Sequence, residues 1–176
     1  QRWINKKNNQ QALYRQALQY AHEKQDMMQQ RIEENELTLA LLQDRENQNL
    51  DEIDKKERLI AQLKQEKLEL RTWTFWQTPI YKKVMSLSEQ KEVDKKARKV
   101  MTDVEREKLK KTVFEIYADY ISPLQAQYSQ LTEDDLLVLC LQEAGISPLA
   151  ISLCFGHTDT VALNQRKSRL KKKMSE

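Results

Sequence analysis

From Val161 to Met174 the chain reads Val-Ala-Leu-Asn-Gln-Arg-Lys-Ser-Arg-Leu-Lys-Lys-Lys-Met, with Arg166, Lys167, Arg169, Lys171, Lys172 and Lys173 inside eight positions. Cations this dense suit a polyanion, not bond-breaking chemistry. On a helix starting at Asp159, Leu163, Leu170 and Met174 share one stripe and predict the buried side. Val161, Gln165, Ser168 and Lys172 fall roughly opposite, flanked by Asn164 and Arg169. That outer face carries base-reading chemistry: Gln and Asn bond adenine, Arg bonds guanine, Ser adapts, and Val meets a thymine methyl. Arg166, Lys167, Lys171 and Lys173 suit phosphates, which set orientation and most of the affinity. A basic helix end also has a plain structural use, because it opposes the helix dipole.

The elements needed to hold such a helix are legible upstream. The two glycines of the chain, Gly145 and Gly156, stand where short apolar helices must stop. Between them Ser147-Pro148 supplies a cap and a proline suited to the first helical position. Thr132 caps the preceding helix, with Asp135 three residues on and Leu136, Leu137, Leu139 and Cys140 as its buried side. Thr102-Asp103-Val104-Glu105 is a capping box opening a helix striped by Leu109, Val113, Ile116, Tyr117 and Tyr120. Ser122-Pro123 is expected to break that helix, with a further turn from Leu124 to Tyr128. Trp73, Phe75 and Trp76 are costly to leave in water and should pack at a joint. Thr78-Pro79 opens another helix through Ile80, Val84 and Leu87. Ser86 to Lys99, polar and charged, reads as a loop or linker.

From Ile4 to Leu70 there is no Gly or Pro, and apolar residues recur at alternating steps of three and four. With Ile4 at an a position, the a series runs Ile4, Gln11, Leu18, Gln25, Ile32, Leu39, Glu46, Ile53, Ile60, Lys67. The d series runs Lys7, Tyr14, Ala21, Met28, Asn35, Leu42, Asn49, Lys56, Leu63, Leu70. Twelve of these twenty positions are apolar, which predicts a coiled coil, preferably a parallel dimer about 100 Å long. Glu46, Asn49 and Lys56 weaken the seam. The competing arrangement is an antiparallel hairpin turning at Asn47-Gln48-Asn49.

With 32 % charged residues and five Gly plus Pro among 176, an all-α chain is expected. The formal charge of +3 makes a polyanion site local. Cys140 and Cys154 fit free buried thiols of a reducing compartment. They match no metal spacing with His157, so neither metal nor cofactor is expected. His22 and His157 lie far apart, without a nucleophile or phosphate loop, so an enzyme is not expected. No apolar run is long enough to span a membrane. Trp3 beside Arg2, Lys6 and Lys7 nonetheless resembles the cytoplasmic flank of a membrane helix.

Leu131-Thr132-Glu133-Asp134-Asp135, Gly145-Ile146-Ser147, Ile151 and the Leu163…Leu170…Met174 spacing resemble the LuxR-type helix-turn-helix. The ending from Gln165 to Met174 resembles that of Bacteroidetes regulators built from a periplasmic tetratricopeptide sensor, one membrane helix, a cytoplasmic coiled coil and a LuxR-like reader. The likeness covers about residues 102–176, and the turn Gly156-His157-Thr158 is one residue longer than the family pattern. It implies a cytoplasmic transcriptional regulator, or the cytoplasmic portion of a single-pass inner-membrane protein. The expected organisation is a coiled coil at 1–71 for homodimerisation and signal transmission, an aromatic joint and linker at 72–101, and a helical domain at 102–176 with the helix-turn-helix at 131–176. Double-stranded DNA is the expected partner, together with an upstream membrane segment of the same protein. The alternative is a coiled-coil signalling module whose degenerate helix-turn-helix docks a protein.

Overall fold

The computed structural model describes residues 2–43 and 50–175. All regular structure among them is helical, and the chain divides into two units, Gln1–Leu70 and Arg71–Glu176.

The first unit holds α1 (Arg2–Gln43) and most of α2 (Leu50–Trp76). From Ala21 to Leu42 every partly or fully covered residue is an a or d position: Ala21, Gln25, Met28, Ile32, Asn35, Leu39 and Leu42. The heptad register is therefore the packing register of α1. The single continuous coil is not formed. Asn35 Nδ2 donates to Glu66 Oε2 at 2.9 Å, and Lys67 Nζ lies 3.2 Å from Glu36 Oε1. One straight helix would hold residues 35 and 66 about 46 Å apart. A parallel return would have to link Gln43 to Leu50 across roughly 36 Å, beyond the roughly 25 Å that seven peptide steps reach. The two helices therefore run antiparallel, as in the hairpin arrangement. The turn residues Asn47, Gln48 and Asn49 lie outside the described residues.

The hairpin changes which residues of α2 are covered. Lys56, Leu59, Leu63, Glu66 and Leu70 line its protected side, while the a residues Ile53 and Ile60 stay 39 % and 36 % exposed. The seam has moved from a and d to d and g. A polar pair occupies it at Glu66, which accepts from Asn35 and from Gln62 Nε2 at 3.0 Å. Both carboxylate oxygens are thus satisfied without a charge partner. Towards the amino end of α1, Ile4, Tyr14 and Leu18 are exposed.

The second unit begins with the last turns of α2. It continues through α3 (Pro79–Ser88), two short 3₁₀ turns (Glu89–Glu92 and Lys95–Ala97), α4 (Asp103–Ile116), α5 (Ala118–Gln127), α6 (Glu133–Glu143), α7 (Pro148–Cys154) and α8 (Val161–Ser175). Its core gathers Phe75, Val84, Leu87, Met101, Leu109, Val113, Tyr117, Leu136, Leu137, Leu141, Ile151 and Leu153, all essentially inaccessible. Phe75 meets the edge of Tyr81 at 5.3 Å, and Trp76 lies 6.2 Å from the same ring. The aromatic run thus packs on the following helix. Caps fall where the sequence places them: Thr78 before Pro79, and capping boxes at Thr102–Glu105 and Thr132–Asp135.

Two expectations are corrected. The helix opened by Thr102 breaks at Tyr117, not at Ser122-Pro123, and Pro123 sits inside α5. The bend lets both Tyr117 and Ile121 reach the core. Ser86–Lys99, expected as a loop or linker, holds the end of α3 and two short 3₁₀ turns tied down by side chains. Gln90 brackets Lys99, accepting from its backbone N at 2.7 Å and donating to its carbonyl at 2.9 Å. Arg98 donates to the Val93 and Lys91 carbonyls. A side chain that satisfies backbone in this way replaces the ladder a helix would provide.

Candidate nucleic-acid interface

The site is built on α6, α7 and α8. α6 and α7 end alike, each with a glycine in the left-handed region, Gly145 at φ 76° and Gly156 at φ 82°. In both, the next N–H returns to the helix: Ile146 to the Leu141 carbonyl at 3.0 Å and His157 to the Ser152 carbonyl at 2.9 Å. These closures satisfy orphan carbonyls and re-aim the chain within two residues. His157 occupies the closing position of the second one. Ser147 Oγ accepts from the Ala150 N–H and fixes the start of α7. Five consecutive residues of α7, Ala150 to Cys154, are buried, so α7 is a fixed support for the turn and helix beyond it.

α8 begins two residues later than expected, at Val161, with Asp159 in the turn before it. Its carboxylate accepts from the Val161 N–H at 3.1 Å and pairs with Lys95. The Lys95 and Val161 hydrogen bonds hold its pKa below the usual carboxylate range. Asp159 is therefore engaged locally and not presented as an unpaired anion. The turn is also held from outside, as Arg98 Nη1 donates to the Thr158 carbonyl at 2.7 Å.

On α8, Leu163 and Leu170 are buried and Met174 half-buried, as the stripe requires. All six base-reading candidates, Val161, Asn164, Gln165, Ser168, Arg169 and Lys172, are exposed. At 100° per residue they occupy one arc of about 140°. The phosphate candidates divide. Lys171 is exposed and Lys167 half-buried, whereas Arg166 and Lys173 turn inward. Arg166 Nη1 donates to Asp135 Oδ1 at 2.8 Å, and Lys173 Nζ to Asp135 Oδ2 at 2.7 Å. Both cations are thus tied to Asp135, Arg166 through one of its guanidinium nitrogens.

Asp135 is the residue sequence reasoning undervalued. Its side chain is 3 % exposed and also accepts from the Thr132 N–H at 3.0 Å. Burial pushes its pKa up, but hydrogen bonds from Lys173, the Thr132 backbone and Arg166 outweigh this and hold it at about 2. The capping box points to Asp135 locally. Its grip on α8 has a fainter signal: Arg166 and Lys173 lie seven apart, on one edge of the helix beside the leucine stripe. Arg106 and Arg98 also act through partners distant in sequence. Arg106 Nε donates to the Cys154 carbonyl at 2.8 Å, and the guanidinium groups of Arg106 and Arg166 lie 6.0 and 5.8 Å from the Phe155 ring.

Cys140 and Cys154 are buried free thiols, with pKa values raised to about 12 by burial. No group of three or more metal-ligating side chains occurs among the described residues. No helix among them is long and apolar enough to cross a membrane. Comparison with family models, with curated proteins and with solved structures finds no match to this chain.

Proposed function

We propose that the chain is a DNA-binding transcriptional regulator whose α6–α7–α8 segment is a helix-turn-helix. In this reading α8 enters the major groove with Val161, Asn164, Gln165, Ser168, Arg169 and Lys172 towards the bases. Lys167 and Lys171 face phosphates. The observation that carries it is the division of α8: a buried leucine stripe, an acidic clamp on one edge, and a continuous polar arc left in solvent. That arc joins Gln, Asn, Arg and Ser, side chains able to bond base edges, on one exposed face. The resemblance to LuxR-type readers supports the same assignment.

Pairing of two copies is assigned to the amino-terminal part of α1, where Ile4, Tyr14 and Leu18 continue the heptad stripe in exposed positions. Trp3, Lys6 and Lys7, also exposed, then adjoin an upstream membrane segment of the same protein, with the reader in the cytoplasm. The second reading is a protein-docking module. What favours it is the loss of Arg166 and Lys173 to Asp135, which leaves fewer cations facing outward.

Fluorescence anisotropy of mixed-sequence duplex over a salt series tests the choice. Regulation through DNA requires log affinity to fall by about 0.9 per log salt for each phosphate neutralised. It also requires a selected site to lose about 1–3 kcal/mol on Gln165→Ala or Arg169→Ala. No duplex binding at low salt, with a partner retained after nuclease treatment, selects the docking module instead.

A further inference from the structure

α6, α7 and α8 enclose a cavity of about 160 Å³ whose apolar floor includes Val138, Phe155 and Leu163. Its polar lining is Arg166 and Arg169 from α8, two guanidinium groups, and the imidazole of His157 from the turn. Among the described residues no carboxylate lines it. Ser152, the remaining hydroxyl there, donates inward to the Pro148 carbonyl at 2.9 Å. The Gly156-to-Thr160 turn contributes His157 to its lining.

We propose that this cavity is a phosphate seat formed by Arg166, Arg169 and His157. Three features favour an oxyanion. Arg166 is preorganised, held at one nitrogen by Asp135 and laid against Phe155, so little freedom is lost when it binds. Guanidinium forks match the oxygen spacing of phosphate. The apolar floor lowers the local dielectric and strengthens each charge contact.

The phosphate has two sources to separate, a nucleic-acid backbone and a free phosphate ion. Arg169 belongs both to the cavity rim and to the outward arc of α8, so a backbone running beside a groove-bound α8 would pass the mouth. That arm rests on the DNA reading, whereas the seat itself does not.

The test uses the full chain titrated with inorganic phosphate, at ionic strength matched with chloride, followed by amide chemical shifts. Saturable shifts around His157, Ala162 and Arg169 are expected. Ala162→Leu, which fills the cavity without altering charge, should weaken phosphate at least tenfold. Arg169→Gln, at an exposed position, should do likewise and serves if the first variant fails to fold. Absence of saturation, or unchanged affinity in both variants, overturns the proposal. Competition between phosphate and duplex, with a salt slope about 0.9 shallower in Ala162→Leu, assigns the seat to the backbone. Phosphate binding without competition assigns it to the free ion. Failure of the chain to bind duplex while phosphate still saturates removes the DNA reading alone.

Discussion

Replacing Asp135 by Asn is the sharpest probe of how α8 is held. The substitution keeps the shape and an acceptor for the Thr132 cap, but removes the charge shared by Arg166 and Lys173. A pKa lowered from 3.8 to about 2 corresponds to about 2 kcal/mol of stability at neutral pH. Breaking a fully buried pair costs about 3–5 kcal/mol. Here the cations are 29 % and 28 % exposed, so water partly compensates them. A loss of about 2–3 kcal/mol is expected, roughly 10–20 °C in Tm for a domain of this size. The pH dependence has a definite sign. Because the folded pKa is depressed, the contribution is complete above the unfolded value near 3.9 and disappears as pH falls towards 2. Urea unfolding followed by Trp73 and Trp76 fluorescence should show the gap between wild type and Asp135→Asn narrowing from pH 5 to pH 2. A gap below about 0.5 kcal/mol at pH 7, or one that does not change with pH, refutes the clamp.

Other perturbations have simpler readouts. Lys171→Gln should flatten the duplex salt slope by about 0.9 while leaving the urea midpoint unchanged; Lys173→Gln should lower that midpoint instead. Gly145→Ala meets no atom but must take φ 76°, so urea denaturation should register a loss of about 1–2 kcal/mol. Gly156→Ala, at φ 82° and with Arg106 Nη2 3.1 Å from the added carbon, should lose at least as much. Spin labels at Thr38→Cys and Lys64→Cys, both exposed, should report a separation under about 25 Å when diluted with unlabelled chain; a straight helix would give about 39 Å. Native Cys140 and Cys154 should resist Ellman's reagent until the chain is unfolded, since neither is accessible nor ionised near neutrality.

What the residues revealed in advance were the local devices. The caps at Thr78, Thr102, Thr132 and Ser147, the glycine stops and the leucine stripe of the last helix depend on neighbours within a few positions. Side-chain chemistry alone specifies them. The heptad register was legible for the same reason, and it governs burial in α1. The partner covering that stripe was not legible, because a and d positions look identical whether it is another chain or the same one returning. The decision shows only in long-range pairs such as Asn35–Glu66. The division of the basic run was hidden likewise. Arg166 and Lys173 differ from Lys171 and Lys172 only in facing a carboxylate 31 and 38 positions earlier.

The segment between α3 and α4 bears on any attempt to isolate α6–α8. Met101 N–H is bonded to the Leu153 carbonyl at 3.0 Å, Arg98 to that of Thr158, and Val84 and Leu87 of α3 belong to the same core as α7. A fragment starting at Leu131 would lose the donors to the Leu153, Cys154 and Thr158 carbonyls and bare an oily flank, although it retains α6, α7 and α8. The smallest autonomous folding piece should therefore reach back to the tryptophans, so that whatever displaces α3 also strains the footing of α8.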